Sequence, residues 1–236
     1  GPEVDHHRAP SSLLGLHKLG RKANELEAVV YTHLHGDHCA GFPFLIIDAL
    51  FADRRERPLR FVGPPGLEAR LMGLLDLTYG RDILDRPGAP PLVFDEVRVG
   101  DRVDVEGLSL VTFQAGHIEA PDQSQCLRFE SPGGPVVAFS GDTEMCEGLI
   151  SAGAQADLLV AECSGLAPPI GRHCSWSDWR QALPGLDVGR VVLTHLGREV
   201  RRSIPALLAE CVSGPPFEFA DDGLVLELLP RAAHAE

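Results

Sequence analysis

Thr32-His33-Leu34-His35-Gly36-Asp37-His38 is the stretch that decides the fold of this chain. It follows Ala28-Val-Val-Tyr-Thr32, a short, branched, apolar run of the kind that forms a buried strand. At a strand end, residues two apart project to the same side. His33, His35 and Asp37 can therefore converge, and Gly36 gives the backbone freedom to swing His38 in as well. Imidazoles and carboxylates are metal ligands, and four of them within six residues have a mechanism behind them that a polar surface loop lacks. Four ligands would nearly satisfy one ion, but the polar residues downstream suggest two ions that recruit more. His117 comes after the strand Leu108 to Gln114, Asp142 after Val136 to Ser140, and His195 after Arg190 to Leu193. Each stands where an apolar strand stops, which is where open sheets present functional groups.

Strand and helix patterns alternate around these positions, with no internal repeat. Gly41 to Ala52 reads as a helix, Leu59 to Val62 as a strand closed by Gly63-Pro-Pro-Gly66, and Leu67 to about Tyr79 as an amphipathic helix. Between Leu92 and Ser140, short strands around Leu92, Arg102, Leu108, Cys126 and Val136 suggest an antiparallel meander. Strands at Leu158 to Ala161 and Val191 to Thr194, with helices near Ser175 to Leu183 and Arg202 to Cys211, restore the βα alternation. An α/β chain with mixed sheets and helices on their outer faces is the expected class.

A length of 236 residues suits one large domain, expected over 1–230 with a C-terminal tail at 231–236. The 44% hydrophobic and 23% charged content excludes disordered and fibrous classes. With 21 basic and 34 acidic residues the formal charge is −13, so nucleic acid is disfavoured as a partner, while a small anion remains compatible with a local metal. No apolar window is long enough to span a membrane, and the first residues show no basic flank followed by an apolar core, although an export signal could have been removed before this form. Six scattered cysteines (Cys39, Cys126, Cys146, Cys163, Cys174, Cys211) form no metal or disulfide framework and read as reduced thiols in a cytoplasm.

The run His33-x-His35-x-Asp37-His38, with His117, Asp142 and His195 in that order, resembles the metallo-β-lactamase superfamily of binuclear metallohydrolases, from Glu27 onward. The resemblance implies a four-layer αββα sandwich. It implies that His33, His35 and His117 hold one zinc and Asp37, His38 and His195 the other, with Asp142 bridging. A hydroxide between two such cations is a nucleophile at neutral pH. Redox diiron relatives carry Glu where His35 stands, which favours hydrolysis. Zinc suits the imidazole-rich set, with manganese or iron as alternatives.

Glu162, in Ala161-Glu-Cys-Ser164, and His173, in Arg172-His-Cys-Ser175, resemble the two loops of the tRNA 3′-processing endonuclease (RNase Z) branch, in which a Glu orients a His beside the leaving group. Phosphodiester cleavage requires a proton donor to the leaving alkoxide. A Glu behind the imidazole would fix its tautomer and favour its charged form. The alternative is that Glu162 only caps a strand and His173 lies on the surface. Asp37, Glu162 and His173 are the expected catalytic residues. Only 24 residues separate His117 from Asp142, with Arg128 the one basic residue, so the basic arm that grips tRNA in that branch has no room there. The expected substrate is a small, cyclic or otherwise compact phosphodiester. The alternatives are a thioester, lactone or sulfate-ester hydrolase, a tRNA 3′-end endonuclease, and a non-enzymatic interaction module in which metals serve structure.

Superfamily members open with two or three strands, whereas 32 residues precede His33, so the first strands are expected to be missing and Ala28 to Thr32 to lack a neighbour. Asp53-Arg-Arg-Glu-Arg57 and Arg201-Arg202 read as solvated faces rather than anion sites. His6, His7, His17 and His234 are expected at the surface, Cys39 as a small packed residue, and Trp176 and Trp179 in the core. The loops Ala120 to Ser124 and Gly165 to Gly171 are where substrate choice would reside. The apolar Phe42 to Phe51 helix is either core or the interface of a homodimer.

Overall fold

A computed structural model describes residues 4–5, 11–118, 122–168, 170–210 and 212–228. The tail 231–236, His6, His7, His234, Cys211 and Ala120 lie outside the described residues. The chain divides into two compact units, Gly1–Arg98 and Val99–Glu236.

The first unit carries β1 (Val4–Asp5), α1 (Ser12–Lys18), β2 (Ala28–Val30), α2 (Gly36–Cys39), α3 (Phe42–Ile47), β3 (Leu59–Gly63), α4 (Leu67–Thr78) and β4 (Leu92–Glu96). Its strands form one parallel sheet in sequential order. Two expectations are corrected here. β2 has a neighbour on each side, since Val4 pairs with Ala28 and Asp5 with Val29. Two residues are too short to carry a recognisable apolar pattern. β4 is no part of the meander, because it runs parallel to β3, with Leu59 opposite Leu92. The helix α4 between them makes a crossover, and a crossover returns the chain parallel.

α4 and the segment that follows the His33 run bury the faces their patterns specify. Leu67, Leu71 and Leu75 of α4 are fully buried at helical spacing. Phe42, Leu45, Ile46 and Leu50 join the same core, so the greater part of the Phe42–Phe51 segment is core, with Phe44 and Phe51 exposed. α3 continues as a wider turn over Asp48–Ala52. Gly63 packs tightly against β2's end: a Cβ there would lie 3.1 Å from Tyr31 Cβ and 3.3 Å from Tyr31 O, so a side chain fits only if these neighbours give by a few tenths of an ångström.

The second unit carries β5 (Arg102–Val105), β6 (Leu108–Gln114), β7 (Gln125–Glu130), β8 (Val136–Phe139), α5 (Glu147–Gly153), β9 (Leu158–Glu162), α6 (Trp176–Ala182), β10 (Val191–Thr194), α7 (Arg198–Leu208) and β11 (Phe217–Phe219). They form one seven-stranded sheet in the order β11-β10-β9-β8-β7-β6-β5. β5 to β8 are the antiparallel meander, and β8 to β11 are parallel. α7 starts four residues before the expected Arg202, because Gly197 ends the preceding turn as its N-cap. α6 starts at a reciprocal cap: Asp178 N–H donates to Ser175 Oγ (3.2 Å), and Ser175 N–H donates to Asp178 Oδ2 (2.8 Å). Trp176 and Trp179 lie in the core of this unit, as their spacing predicts.

Candidate functional site

In the first unit, the strand ends at Val30 and the polar run follows it directly. His33 is fully buried, with Nδ1 3.2 Å from the Thr32 hydroxyl. His35 is the N-cap of α2, and His38 sits in that helix's single turn, where its N–H donates to His35 O (3.0 Å). The imidazole of His33 stands 4.9 Å from that of His35 and 4.0 Å from that of His38, centroid to centroid. Asp37 Oδ2 is 3.4 Å from His38 Nε2, with Asp37 largely exposed and His38 buried. The side chains converge, but by helical turn and not by strand alternation. Gly36 is no hinge either, since a Cβ on it would meet nothing within 4 Å and its φ is not positive. Cys39 is packed against Leu34, donating to its carbonyl at 3.5 Å, and burial pushes its thiol up.

In the second unit, His117, Asp142, Glu162 and His195 all come just after or at the ends of β6, β8, β9 and β10, and His173 precedes α6. Parallel pairing of β9 with β10 sets Glu162 opposite Thr194, one residue before His195. The turn at Gly116 is pinned to the one after Asp142, with Gly116 N–H donating to Thr143 Oγ1 (2.9 Å) and Glu144 N–H to Gly116 O (3.2 Å). A ring nitrogen of His173, a ring nitrogen of His117 and a carboxylate oxygen of Asp142 lie within 4.8 Å of one another. The His117 and His173 rings are 4.7 Å apart, and those of His173 and His195 stack at 5.7 Å and 12°. His195 Nε2 is 3.5 Å from Asp142 Oδ2, and the residue adopts a left-handed φ of 48°. A non-glycine residue there is held by its surroundings.

Glu162 is buried and accepts three hydrogen bonds. Oε1 receives the Thr143 N–H (2.6 Å) and faces His173 Nδ1 (2.8 Å), while Oε2 receives the Ser164 hydroxyl (2.6 Å). Both carboxylate oxygens are thus engaged, between Thr143, His173 and Ser164. Trp179 supports it from the core, donating Nε1–H to the Glu162 carbonyl at 2.7 Å. His173 is neither fully buried nor a free surface group; its side chain is 23% exposed. Thr143 and Ser164 are site residues that sequence reasoning missed. The available signal for Ser164 was its position two residues beyond Glu162, on the same side of a strand end.

The donor set fits a divalent cation in its chemistry. Imidazoles and carboxylates dominate, and the described cysteines lie apart as buried or half-buried thiols. A family model described as the beta-lactamase superfamily domain matches residues 5–196. The chain belongs to that superfamily. An uncharacterized protein of Mycobacterium leprae (strain TN) is 31% identical over 180 residues, 71% of this chain and 58% of that protein. The chain thus spans somewhat under two thirds of the first curated relatives it matches. Ribonuclease Z of Staphylococcus aureus (strain JH9) is 25% identical over 249 residues, covering 85% of this chain and 81% of the enzyme. Among solved structures, the metallo-β-lactamase-fold protein YhfI of Bacillus subtilis superposes with a TM-score of 0.73 at 18% identity, over 94% of this chain and 86% of that one. The mixed α/β fold with two sheets is therefore the metallo-β-lactamase fold, and the chain, a member of that superfamily, carries candidate metal-binding His and Asp groups.

Proposed function

We propose that this chain is a two-metal phosphodiesterase of a small, compact phosphodiester, with His173 as general acid. The observation that carries the proposal is the Glu162–His173 pair, 2.8 Å apart, set beside His117 and Asp142. As the family resemblance implies, His33, His35 and His117 would hold one cation, Asp37, His38 and His195 the other, with Asp142 shared between them. Zinc is the first choice for such donors. When bound, the cations supply a nucleophile from water and stabilise the charge developing on phosphorus. The chain's own contribution is the proton. Glu162 fixes His173 through Nδ1, leaving Nε2 to deliver a proton to the departing alkoxide, which is the most basic species formed and the one a cation pair serves least.

A small substrate is supported by the segment between His117 and Asp142. Its one basic side chain, Arg128, is spent on the protein: it donates to Glu130 Oε1 (2.8 Å) and to the carbonyls of Ala152 (3.0 Å) and Ala154 (2.7 Å). The similarity to ribonuclease Z supports the phosphodiester class but supplies no arm in this segment. We place the protein in a reducing cytoplasm, where its thiols stay unpaired.

The test compares leaving groups. In His173→Ala, hydrolysis of a 2′,3′-cyclic nucleotide is expected to fall by about 10²–10⁴ in kcat, the usual worth of a positioned acid. Hydrolysis of a thioester, whose thiolate leaves without a proton, should change by no more than about threefold. Equal losses on both would mark His173 as structural, and no loss on the diester would remove it from the mechanism.

A further inference from the structure

Ser164 occupies a position that the proton inventory makes consequential. Its hydroxyl has one proton and three neighbours: Glu162 Oε2 at 2.6 Å, His195 Nδ1 at 2.8 Å and His195 O at 3.3 Å. A carboxylate oxygen at 2.6 Å is a stronger acceptor than a carbonyl at 3.3 Å, so the proton goes to Glu162. The contact with Nδ1 can then be made in only one way, with Nδ1–H of His195 donating to Ser164 Oγ. In the neutral imidazole that assignment puts the lone pair of His195 on Nε2, the nitrogen that faces Asp142 at 3.5 Å.

We infer that Ser164 is a positioning residue that holds His195 as its Nδ1–H tautomer, and that Glu162 thereby sets the proton on two imidazoles at once: His173 directly through Oε1, and His195 through the Ser164 hydroxyl on Oε2. The reach toward a cation rests on the proposed function; the tautomer does not. The surroundings keep Ser164 in its seat. Its N–H donates to Cys174 O at 2.9 Å, next to His173, and Cys163 N–H donates to Thr194 O at 2.9 Å, next to His195. Gly197 presses on it so closely that a Cβ there would lie 2.0 Å from the Ser164 carbonyl oxygen. A hydroxyl placed between a carboxylate and an imidazole, with the backbone on both sides tied down, is preorganised for orientation.

Two measurements test this on the whole chain, with Ser164→Ala and Ser164→Thr beside wild type. The first is the ¹⁵N shift pattern of the His195 imidazole in metal-free protein. Wild type and Ser164→Thr should show protonated Nδ1, and Ser164→Ala should lose that preference. A wild-type imidazole protonated on Nε2 and bare at Nδ1 overturns the inference, whether or not Ser164→Ala folds. The second is zinc affinity by competition with a chromophoric chelator. Ser164→Ala should bind one equivalent about 10–100-fold more weakly, with Ser164→Thr within about threefold of wild type. Equal affinity in all three, or Ser164→Thr as weak as Ser164→Ala, overturns the role toward the cation. If wild type shows the Nδ1–H tautomer yet takes up no zinc, the proposed function fails and the tautomer assignment stands.

Discussion

Cys146 differs from the cysteines around it. Its thiol is lowered to about 5, first by a hydrogen bond from the Cys126 thiol and then, against burial, by the Thr143 hydroxyl at 3.4 Å and backbone N–H groups of Leu149 and Gly116. Burial and the charge of Glu162 push Cys163 up to about 12 and Cys174 higher still, and Cys126 rises as the donor to Cys146. The thiolate is the nucleophile, so a lowered thiol is reactive above its pKa and its rate then stops rising. Alkylation of Cys146 by iodoacetamide should be on its plateau from about pH 6.5 upward, while any labelling of the others climbs through pH 9, read by peptide mass spectrometry. A Cys146 rate that also climbs through pH 9 would mean the thiol is not lowered. Single residues were legible in the sequence where their chemistry declared itself. His33, His35, Asp37 and His38 form a dense ligand run, and Glu162 with His173 matched a paired pattern. Ser164 was legible only as a neighbour of Glu162, because its contact with His195, 31 residues downstream, arises only when the two strand ends are brought side by side.

Arg55 shows the same limit for an element. Asp53-Arg-Arg-Glu-Arg57 reads as a solvated charged face; Arg54, Glu56 and Arg57 are exposed as expected, and the structure corrects the reading at Arg55, which is 1% exposed. Its guanidinium donates to the carbonyls of Asn24 (3.0 Å), Leu26 (2.8 Å), Arg57 (3.0 Å) and Pro58 (2.5 Å). Burial lowers its pKa to about 10, which leaves it charged at neutral pH. It ties together the segments that lead into the neighbouring parallel strands β2 and β3. A ring of carbonyl acceptors around a buried arginine cannot be foreseen from a local charge pattern. The parallel course of β4 could have been, since a strand, a helix over Leu67–Thr78 and another strand make a crossover unit. Arg55→Leu should destabilise metal-free protein by ~2–4 kcal/mol, because the carbonyls stay buried without a donor. Arg57→Ala, whose partners Glu27 and Asn24 are met near the surface, should cost under ~1 kcal/mol. Urea unfolding measures both, and an Arg55→Leu loss below about 0.5 kcal/mol would show that water reaches those carbonyls.

For the whole molecule, the formal charge of −13 and the proposed cations belong to one electrostatic account. An acidic chain repels a polyanion at long range, while bound cations attract a phosphodiester within a Debye length of the site. Among the described residues no helix is long and apolar enough to cross a membrane. Cations that bind the folded chain and not the unfolded one stabilise it by mass action, about 2.7 kcal/mol per site at a free concentration 100 times Kd. In a chain of this length each kcal/mol moves the unfolding temperature by roughly 2–4 °C. Stripping the protein with a chelator should therefore lower that temperature by about 5–10 °C per site, and zinc should restore it. His17→Ala is the control, because His17 lies on the surface, 3.7 Å from Asp48, and supplies no proposed ligand. It should respond like wild type, whereas His195→Ala should lose part of the shift and His33→Ala at least as much. A stripped protein that unfolds at the same temperature as the zinc-supplemented one, with less than one equivalent of metal per chain, would remove the cations from the site and the phosphodiesterase proposal with them.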